Sequence, residues 1–153
     1  MLTPAQDPAP GLTVLVAGGA SDSHTWNLVY LELYLTEAGH RVVNAGPCVT
    51  GDLLVTACRR HRPDLVVVSS VNGHGHRDGL AVITALRAHP QLAAVPAVIG
   101  GKLGVAGPLD PDAVARLRAA GYTEVYQDGD ATALLALLDR LAARPARIEE
   151  HVP

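Results

Sequence analysis

Short apolar runs alternate along this chain with longer segments in which apolar residues recur every three or four positions. Short runs of Val, Leu and Ile are typical of strands buried on both faces, and the periodic segments are typical of helices packed on one side. The predicted strands are Leu12–Ala17, Arg41–Asn44, Leu65–Ser69, Ala97–Ile99 and Glu124–Tyr126. The predicted helices are Trp26–Ala38, Gly51–His61, Arg77–His89, Asp112–Ala120 and Ala131–Ala143.

Residues that start and stop helices support these boundaries. Thr50 stands where it can cap the second helix, and Pro63 follows the end of that helix. Gly39 and Gly121 follow the first and fourth helices, as glycine does at many helix ends.

Five strand–helix repeats predict an α/β fold, because a helix that crosses over between strands makes them parallel. The expected architecture is a single-domain, five-stranded parallel sheet of the flavodoxin-like, doubly wound type with strand order 2-1-3-4-5. We expect residues 12–143 to form this domain, residues 1–11 to be a flexible N-terminus and residues 144–153 to be a frayed tail.

Composition narrows the class of protein. Hydrophobic residues make up 48% of the 153 positions and the formal net charge is −3, which fits a globular protein without the basic surface that nucleic acid requires. No apolar run approaches the ~20 residues that span a bilayer, and the first ten residues lack the basic start of a signal peptide. We therefore expect a cytoplasmic protein, with Cys48 and Cys58 as reduced, half-buried thiols.

Polar loops follow the predicted strands at the edge where this fold binds ligands. Asp22 and His24 follow strand 1, Ser69–Gly73 follow strand 3, and a turn after strand 4 contains Gly100 and Gly101. With the order 2-1-3-4-5, the topological switch point lies between strands 1 and 3. An imidazole beside a carboxylate suits a metal ligand, since the carboxylate fixes the ring's tautomer.

These residues resemble a known motif. Asp22-x-His24, Ser69-x-Val71 and Gly100-Gly101 are similar to the cobalamin-binding signature Asp-x-His-x-x-Gly, Ser-x-Leu and Gly-Gly, in that order. The resemblance runs from about residue 12 to about residue 141 and is strongest to the small subunits of glutamate (methylaspartate) mutases. Two positions depart from the signature, because Asn27 stands in place of its glycine and Val71 in place of its leucine.

The resemblance implies a role for each residue. His24 would replace the dimethylbenzimidazole of the cofactor as the lower axial ligand of cobalt, and Asp22 would hold the other ring nitrogen. The displaced nucleotide tail would lie in a crevice between strands 1 and 3, where Ser69 would hydrogen-bond the base. The expected cofactor-binding residues are Ser21, Asp22, Ser23, His24, Thr25, Asn27, Ser69, Ser70, Val71, Asn72, Gly73, Gly100, Gly101 and Lys102.

The resemblance also implies the wider assembly. The cofactor would be adenosylcobalamin, and a separate large barrel subunit would hold the substrate, so that this chain supplies no catalytic residue of the isomerase. A stand-alone cobalamin carrier or sensor is the main alternative. No nucleic-acid or membrane partner is expected.

Two other functions of this fold fit the sequence less well. A response-regulator receiver needs a phosphoacceptor Asp at the end of strand 3, where this chain has Ser69. A flavodoxin-like FMN protein could use Ser21-x-Ser23-x-Thr25 as a phosphate loop, but residues 69–79 and 100–110 lack the aromatic side chains that flank a flavin. His74-Gly75-His76 supplies only two metal-type ligands, so we expect an exposed or partner-facing loop there.

Overall fold

The structure, a computed structural model, describes residues 11–127 and 131–144. Nearly all of the predicted flexible N-terminus and of the predicted tail therefore lies outside the described residues. The strands are β1 (Thr13–Gly18), β2 (Arg41–Asn44), β3 (Leu65–Ser70), β4 (Ala97–Gly101) and β5 (Glu124–Tyr126). The α-helices are α1 (Trp26–Glu37), α2 (Gly51–His61), α3 (Gly75–Arg87), α4 (Pro111–Ala120) and α5 (Ala131–Ala142), and a short 3-10 helix covers Pro90–Leu92.

The five strands form one parallel sheet in the order β2-β1-β3-β4-β5, which confirms the predicted topology. Three helix ends have the predicted residues. The Thr50 side chain accepts a hydrogen bond from the Leu53 backbone N–H at the start of α2. Gly39 and Gly121 follow α1 and α4 with φ of +96° and +131°, a region of the backbone that favours glycine.

Both faces of the sheet are covered, as the continuous apolar strands predict. Side chains alternate along each strand, so that Val66 and Val68 face α2, α3 and α4 while Val67 faces α1 and α5. Leu15, Ile83 and Leu86 on the first side and Leu28 and Leu35 on the second are at most 1% exposed. Packing on both faces therefore fixes the positions of the carboxyl ends of the strands relative to one another.

Three of the predicted boundaries are wrong in ways that affect the site. β3 includes Ser70, and β4 extends through Gly100 and Gly101, which we predicted to be a turn. Pairing of Ser69 with Gly100 and of Ser70 with Gly101 extends the sheet to these residues. The glycine pair is therefore sheet rather than loop.

The start of α3 also differs from the prediction. The helix begins at Gly75 and not at Arg77, so His74 is its N-cap residue and His76 lies in its first turn. The predicted exposed loop at His74-Gly75-His76 is thus mostly helix. Gly75 permits this, because a Cβ there would meet Leu103 Cδ2 at 2.5 Å.

The two cysteines are not the matched half-buried pair that we expected. Both are free thiols, but Cys58 is fully buried on α2 whereas Cys48 is exposed in the loop after β2. Within residues 11–127 and 131–144, no helix combines the length and the apolar character required to cross a bilayer.

Candidate functional site

Asp22 and His24 form a closed pair in the loop between β1 and α1. His24 Nδ1 lies 2.7 Å from Asp22 Oδ1, and the His24 backbone N–H donates to the same oxygen at 3.0 Å. Asp22 is 1% exposed while the His24 side chain is 49% exposed. The carboxylate is therefore inside the protein and the imidazole projects from it towards solvent.

The ionisation of Asp22 fixes the tautomer of His24. Burial acts to raise the pKa of the Asp22 carboxyl, but hydrogen bonds from Val71, from the His24 backbone and from the His24 ring outweigh it, so that the pKa lies below its ordinary value. A carboxylate can only accept hydrogen bonds, so Nδ1 carries the proton in the neutral ring. The lone pair is then on Nε2, on a half-exposed side chain, which is the arrangement of a metal-binding histidine.

The second oxygen of Asp22 ties this loop to the end of β3. Asp22 Oδ2 accepts a 2.7 Å hydrogen bond from the Val71 backbone N–H, and Ser70 Oγ lies 3.5 Å away. Ser70 is fully buried. The predicted loops after β1 and β3 therefore do meet, through a buried carboxylate.

A second carboxylate, which the sequence analysis missed, holds the beginning of the same loop. Asp78 on α3 accepts hydrogen bonds from the Ser21 backbone N–H at 3.0 Å and from Ser21 Oγ at 2.5 Å. Asn72 donates to the Ser21 carbonyl at 3.1 Å from the other side. Asp78 lies on a helix, 56 residues after Asp22, so no local pattern in the sequence marks it as part of the site. In the structure its burial, at 7% exposure, sets it apart from the exposed charged residues.

A groove of about 180 Å³ opens beside this loop, on the face of the sheet covered by α1 and α5. Val67, Val98 and Leu134 supply its apolar walls, and Trp26, Tyr30 and Tyr126 are aromatic residues along it. The groove lies over β3 and β4, one strand further along the sheet than the crevice predicted between strands 1 and 3. A cavity of about 150 Å³ holds one benzene ring, so this groove suits a flat aromatic group.

Asn27 and Ser69 are buried polar residues of this groove. Asn27 Nδ2 donates a 2.7 Å hydrogen bond to Ser69 Oγ, and both residues are 6% exposed. Asn27 Oδ1 is buried and has no hydrogen-bond partner. The pair links the first turn of α1 to the end of β3 at the groove wall.

The glycine pair lines the groove. A Cβ on Gly101 would lie 2.2 Å from the Ser70 carbonyl oxygen, and one on Gly100 would meet Tyr126 at 3.3 Å. The absence of side chains thus lets β4 approach its neighbouring strands, which brings Ser70 and Tyr126 to the same edge.

The remaining predicted residues lie around the edge of the site. Ser23 and Thr25 are exposed, and Thr25 caps α1 without a side-chain hydrogen bond. Lys102 is exposed and lines a separate cavity with Val71 and Gly101. Gly73 has φ of +84°, so that the chain turns from β3 towards α3. The structure does not bring Lys102 or Ser23 into the groove.

Comparison with known proteins identifies the family to which this chain is related. Residues 12–136 match the B12 binding domain family. The chain belongs to this family. It is 34% identical over 119 residues to the glutamate mutase sigma subunit of Halobacterium salinarum, which covers 74% of this chain and 75% of that protein.

Solved structures agree with the fold. A cobalamin-binding protein from Desulfitobacterium hafniense superimposes with a TM-score of 0.65 at 18% identity, covering 84% of this chain and 59% of that one. A receiver domain of a histidine kinase from Syntrophus aciditrophicus superimposes with a TM-score of 0.67 at 19% identity, covering 94% of this chain and 98% of that one. At such identities the likeness shows only the flavodoxin-like architecture that B12-binding domains share with receivers.

The site separates this B12-binding domain from the other two functions of the fold. β3 ends in Ser69-Ser70, without the phosphoacceptor Asp of a receiver. The hydroxyl-bearing loop that could resemble an FMN phosphate site contains buried Asp22 and receives the Asp78 carboxylate, which binds the hydroxyl of Ser21. Two buried carboxylates beside this loop disfavour a phosphate there. Aromatic residues do flank the groove, but they lie on α1 and β5 rather than in residues 69–79 and 100–110.

Proposed function

We propose that this chain is the cobalamin-binding subunit of a carbon-skeleton isomerase of the glutamate mutase type, with His24 as the lower axial ligand of cobalt. The observation that carries the proposal is the His24–Asp22 pair. One ring nitrogen is held at 2.7 Å by a buried carboxylate, and the side chain bearing the other is half exposed. A carboxylate that holds an imidazole in this way makes it a stronger and better oriented metal ligand.

The described residues fit the rest of the cofactor as well. The groove beside the loop has the size and apolar walls for a flat aromatic base, and Ser69 carries a hydroxyl on its wall. Asn27 and Ser69 add a buried, hydrogen-bonded polar pair to that wall. His24 would hold the cobalt, and residues of β3, β4, α1 and α5 would hold the displaced nucleotide tail.

The chemistry would be shared between two chains. Adenosylcobalamin held at this site would supply the radical chemistry of a carbon-skeleton rearrangement. Asp22 keeps the Nδ1 proton of His24 in place, and the loop fixed by Val71 and Asp78 positions the ring. A large barrel subunit would contribute the substrate site, in line with the name of the Halobacterium relative as a sigma subunit. We place the complex in the cytoplasm.

The ligand role of His24 is tested by titrating the purified chain with hydroxocobalamin and recording the visible spectrum after gel filtration. The wild-type protein should retain cobalamin with the spectrum of a displaced benzimidazole. His24→Ala should lose both. His74→Ala is the matched control, because His74 is an exposed histidine at the same end of the sheet, and it should behave as the wild type. Equal retention by His24→Ala and the wild type would contradict the assignment.

The isomerase role needs a second experiment. The chain is mixed with the large subunit of a glutamate mutase and adenosylcobalamin, and the interconversion of glutamate and methylaspartate is followed by NMR. Turnover that depends on this chain and is lost in His24→Ala supports the mutase subunit. Cobalamin retention without turnover would instead favour a carrier or sensor.

A further inference from the structure

One side of α1 is apolar although it faces solvent. Among the large apolar side chains that are exposed in the described residues, Trp26, Val29, Tyr30 and Leu33 lie on this helix, with 48% to 65% of their surface accessible. Steps of three, four and seven positions place all four on one face, which we call the α1 stripe. We propose that the α1 stripe is the contact through which two copies of this chain form a dimer.

The helix packs on the sheet through a different face. Leu28 and Leu35 are at most 1% exposed and belong to the core on this side of the sheet. A surface helix normally directs charged and polar residues outwards. The one charged residue along the α1 stripe, Glu32, is instead directed towards β2, where its carboxylate accepts a 3.1 Å hydrogen bond from Asn44 Nδ2. The stripe therefore contains no charge that would repel a second copy.

The α1 stripe is symmetric about its own centre, which suits a contact with a second copy. Its residues stand at positions 26, 29, 30 and 33, so that reversing the direction of the helix leaves their spacing unchanged. Two-fold dimers are the commonest soluble oligomers, and their contact uses the same patch on both chains. A two-fold axis through the centre of the stripe would make the two helices antiparallel and would pack Trp26 of each copy against Leu33 of the other.

The ends of α1 are complementary in the same arrangement. Thr25 is the N-cap residue but makes no side-chain hydrogen bond there, and the first turn of the helix contains no acidic residue. The last turn contains no basic residue and ends in Glu37, which is exposed. An acid is unfavourable at the C-terminal end of its own helix and favourable near the N-terminal end of another. Antiparallel packing directs Glu37 of each copy towards the N-terminal end of the other α1.

The size of the α1 stripe determines the affinity that we expect. Two aromatic and two aliphatic side chains at these exposures present on the order of 400 Å² of apolar surface. Specific complexes of the weaker class bury less than about 600 Å² per partner, against about 800 Å² in complexes of standard size. The α1 stripe with the polar residues around it falls in the weaker class, so the dissociation constant of the dimer should be micromolar.

The dimer would also complete the candidate site. Trp26 and Tyr30 belong to the α1 stripe and also line the groove. A second copy on the stripe would cover the outer side of both rings and so fix the aromatic wall of the groove. Dimer formation itself requires no cofactor, so this inference stands independently of the proposed function.

The test is sedimentation velocity on the full chain without cofactor, from about 1 μM to about 500 μM. The emission of Trp26, the sole tryptophan, is recorded over the same range. We expect the mass to rise from one chain to two, with a blue shift of the emission as Trp26 leaves water. Leu33→Glu should raise the dissociation constant at least about tenfold. Leu53→Glu is the matched control, because Leu53 is 56% exposed on α2, across the sheet, and its effect should stay within about twofold.

A mixture of two variants tests the antiparallel arrangement. In homodimers of Trp26→Lys or of Leu33→Glu, each introduced charge faces an apolar residue. In a heterodimer of the two variants the introduced charges, which have opposite signs, face each other, and the original contact remains at the other end of the stripe. We expect the mixture to associate at least about tenfold more tightly than either variant alone. The emission of Trp26 in the Leu33→Glu chain reports this association.

Four results would overturn the proposal. The first is a mass of one chain at every concentration. The second is a dimer that Leu33→Glu does not weaken or that Leu53→Glu weakens equally, because the contact would then lie elsewhere. The third is a mixture that associates no more tightly than its components, which would exclude antiparallel packing.

The fourth result concerns a different partner. If the wild type stays monomeric and Leu33→Glu instead lowers its affinity for the large subunit of a glutamate mutase, the α1 stripe is the docking surface for that subunit. Circular dichroism checks that each variant folds. Val29→Glu, a substitution on the same stripe, repeats the test if Leu33→Glu does not fold.

Discussion

The backbone N–H of Val71 donates a 2.7 Å hydrogen bond to Asp22 Oδ2, and this bond joins two loops that are 49 residues apart in the sequence. The other oxygen of the same carboxylate holds His24. The buried Asp22 side chain therefore fixes the position of His24, the candidate metal ligand, relative to the end of β3.

Replacing Asp22 with Asn keeps the shape of the side chain but removes its charge. One of the N–H groups of Val71 or His24 then faces an amide N–H₂, and Nδ1 of His24 loses a charged acceptor. We expect the affinity for hydroxocobalamin to fall between about 10-fold and 100-fold, measured by spectroscopic titration. Asp139→Asn, an exposed substitution on α5, should leave the affinity unchanged. An unaltered affinity in Asp22→Asn would mean that the carboxylate does not support the ligand.

Acid should destabilise the fold through the same carboxyl group. Because hydrogen bonds hold the pKa of Asp22 below its ordinary value of 3.8, its ionised form stabilises the folded state at all pH values above that range. This contribution is lost as the pH falls below about 3.8 and through the lower pKa of the folded state. Urea unfolding at pH 7 and pH 3 should show a larger loss of stability for the wild type than for Asp22→Asn. Equal losses would exclude Asp22 as a source of acid sensitivity.

Two adjacent glycines should respond very differently to alanine. In Gly101→Ala the new Cβ would meet the Ser70 carbonyl oxygen at 2.2 Å, and φ there is +111°. We expect a loss of about 3 kcal/mol or more in the free energy of unfolding, from the clash and the backbone strain together. In Gly100→Ala the nearest atom, Tyr126 Cβ, is 3.3 Å away, so the loss should stay below about 1 kcal/mol. Chemical denaturation of both variants measures the difference, and equal losses would contradict the packing described here.

Alkaline pH should destabilise the core through Cys58. Burial raises the pKa of this thiol from 9.0 to about 11, and the nearby Arg87 guanidinium opposes the rise only in part. The stabilising contribution is complete below pH 9 and is lost as the pH rises to about 11, by roughly 2–3 kcal/mol at most. Between pH 9 and pH 11 the unfolding free energy of the wild type should therefore fall more steeply than that of Cys58→Ala. Parallel curves would show that the thiol does not ionise with unfolding in this range.

Much of this protein follows from local pattern. Apolar strands such as Leu65–Ser69 and periodic helices such as Gly51–His61 are distinct in the sequence, and five repeats of them leave few topologies for a parallel sheet. The topology in turn places Asp22, His24 and Ser69 at one edge of the sheet. The cofactor was suggested by the resemblance of these residues to the cobalamin-binding signature.

Other features depend on contacts between distant parts of the chain. Asp78 supports Ser21 across 57 residues, and Tyr126 meets Gly100 across a strand pair, so no local signal marks either residue. The groove lies over β3 and β4 instead of between β1 and β3, and its position depends on how α1 and α5 pack on the sheet.

The sequence by itself determined the order of strands and helices, the edge of the sheet that bears the site, and the histidine–carboxylate pair, because each depends on periodicity or on residues close together in the chain. Only the tertiary structure decided that Asn27 hydrogen-bonds Ser69 with one end of its amide and leaves Oδ1 buried without a hydrogen-bond partner. Hydrogen bonding and burial of this kind result from the packing of the helices on the sheet, which brings together residues that are 42 positions apart.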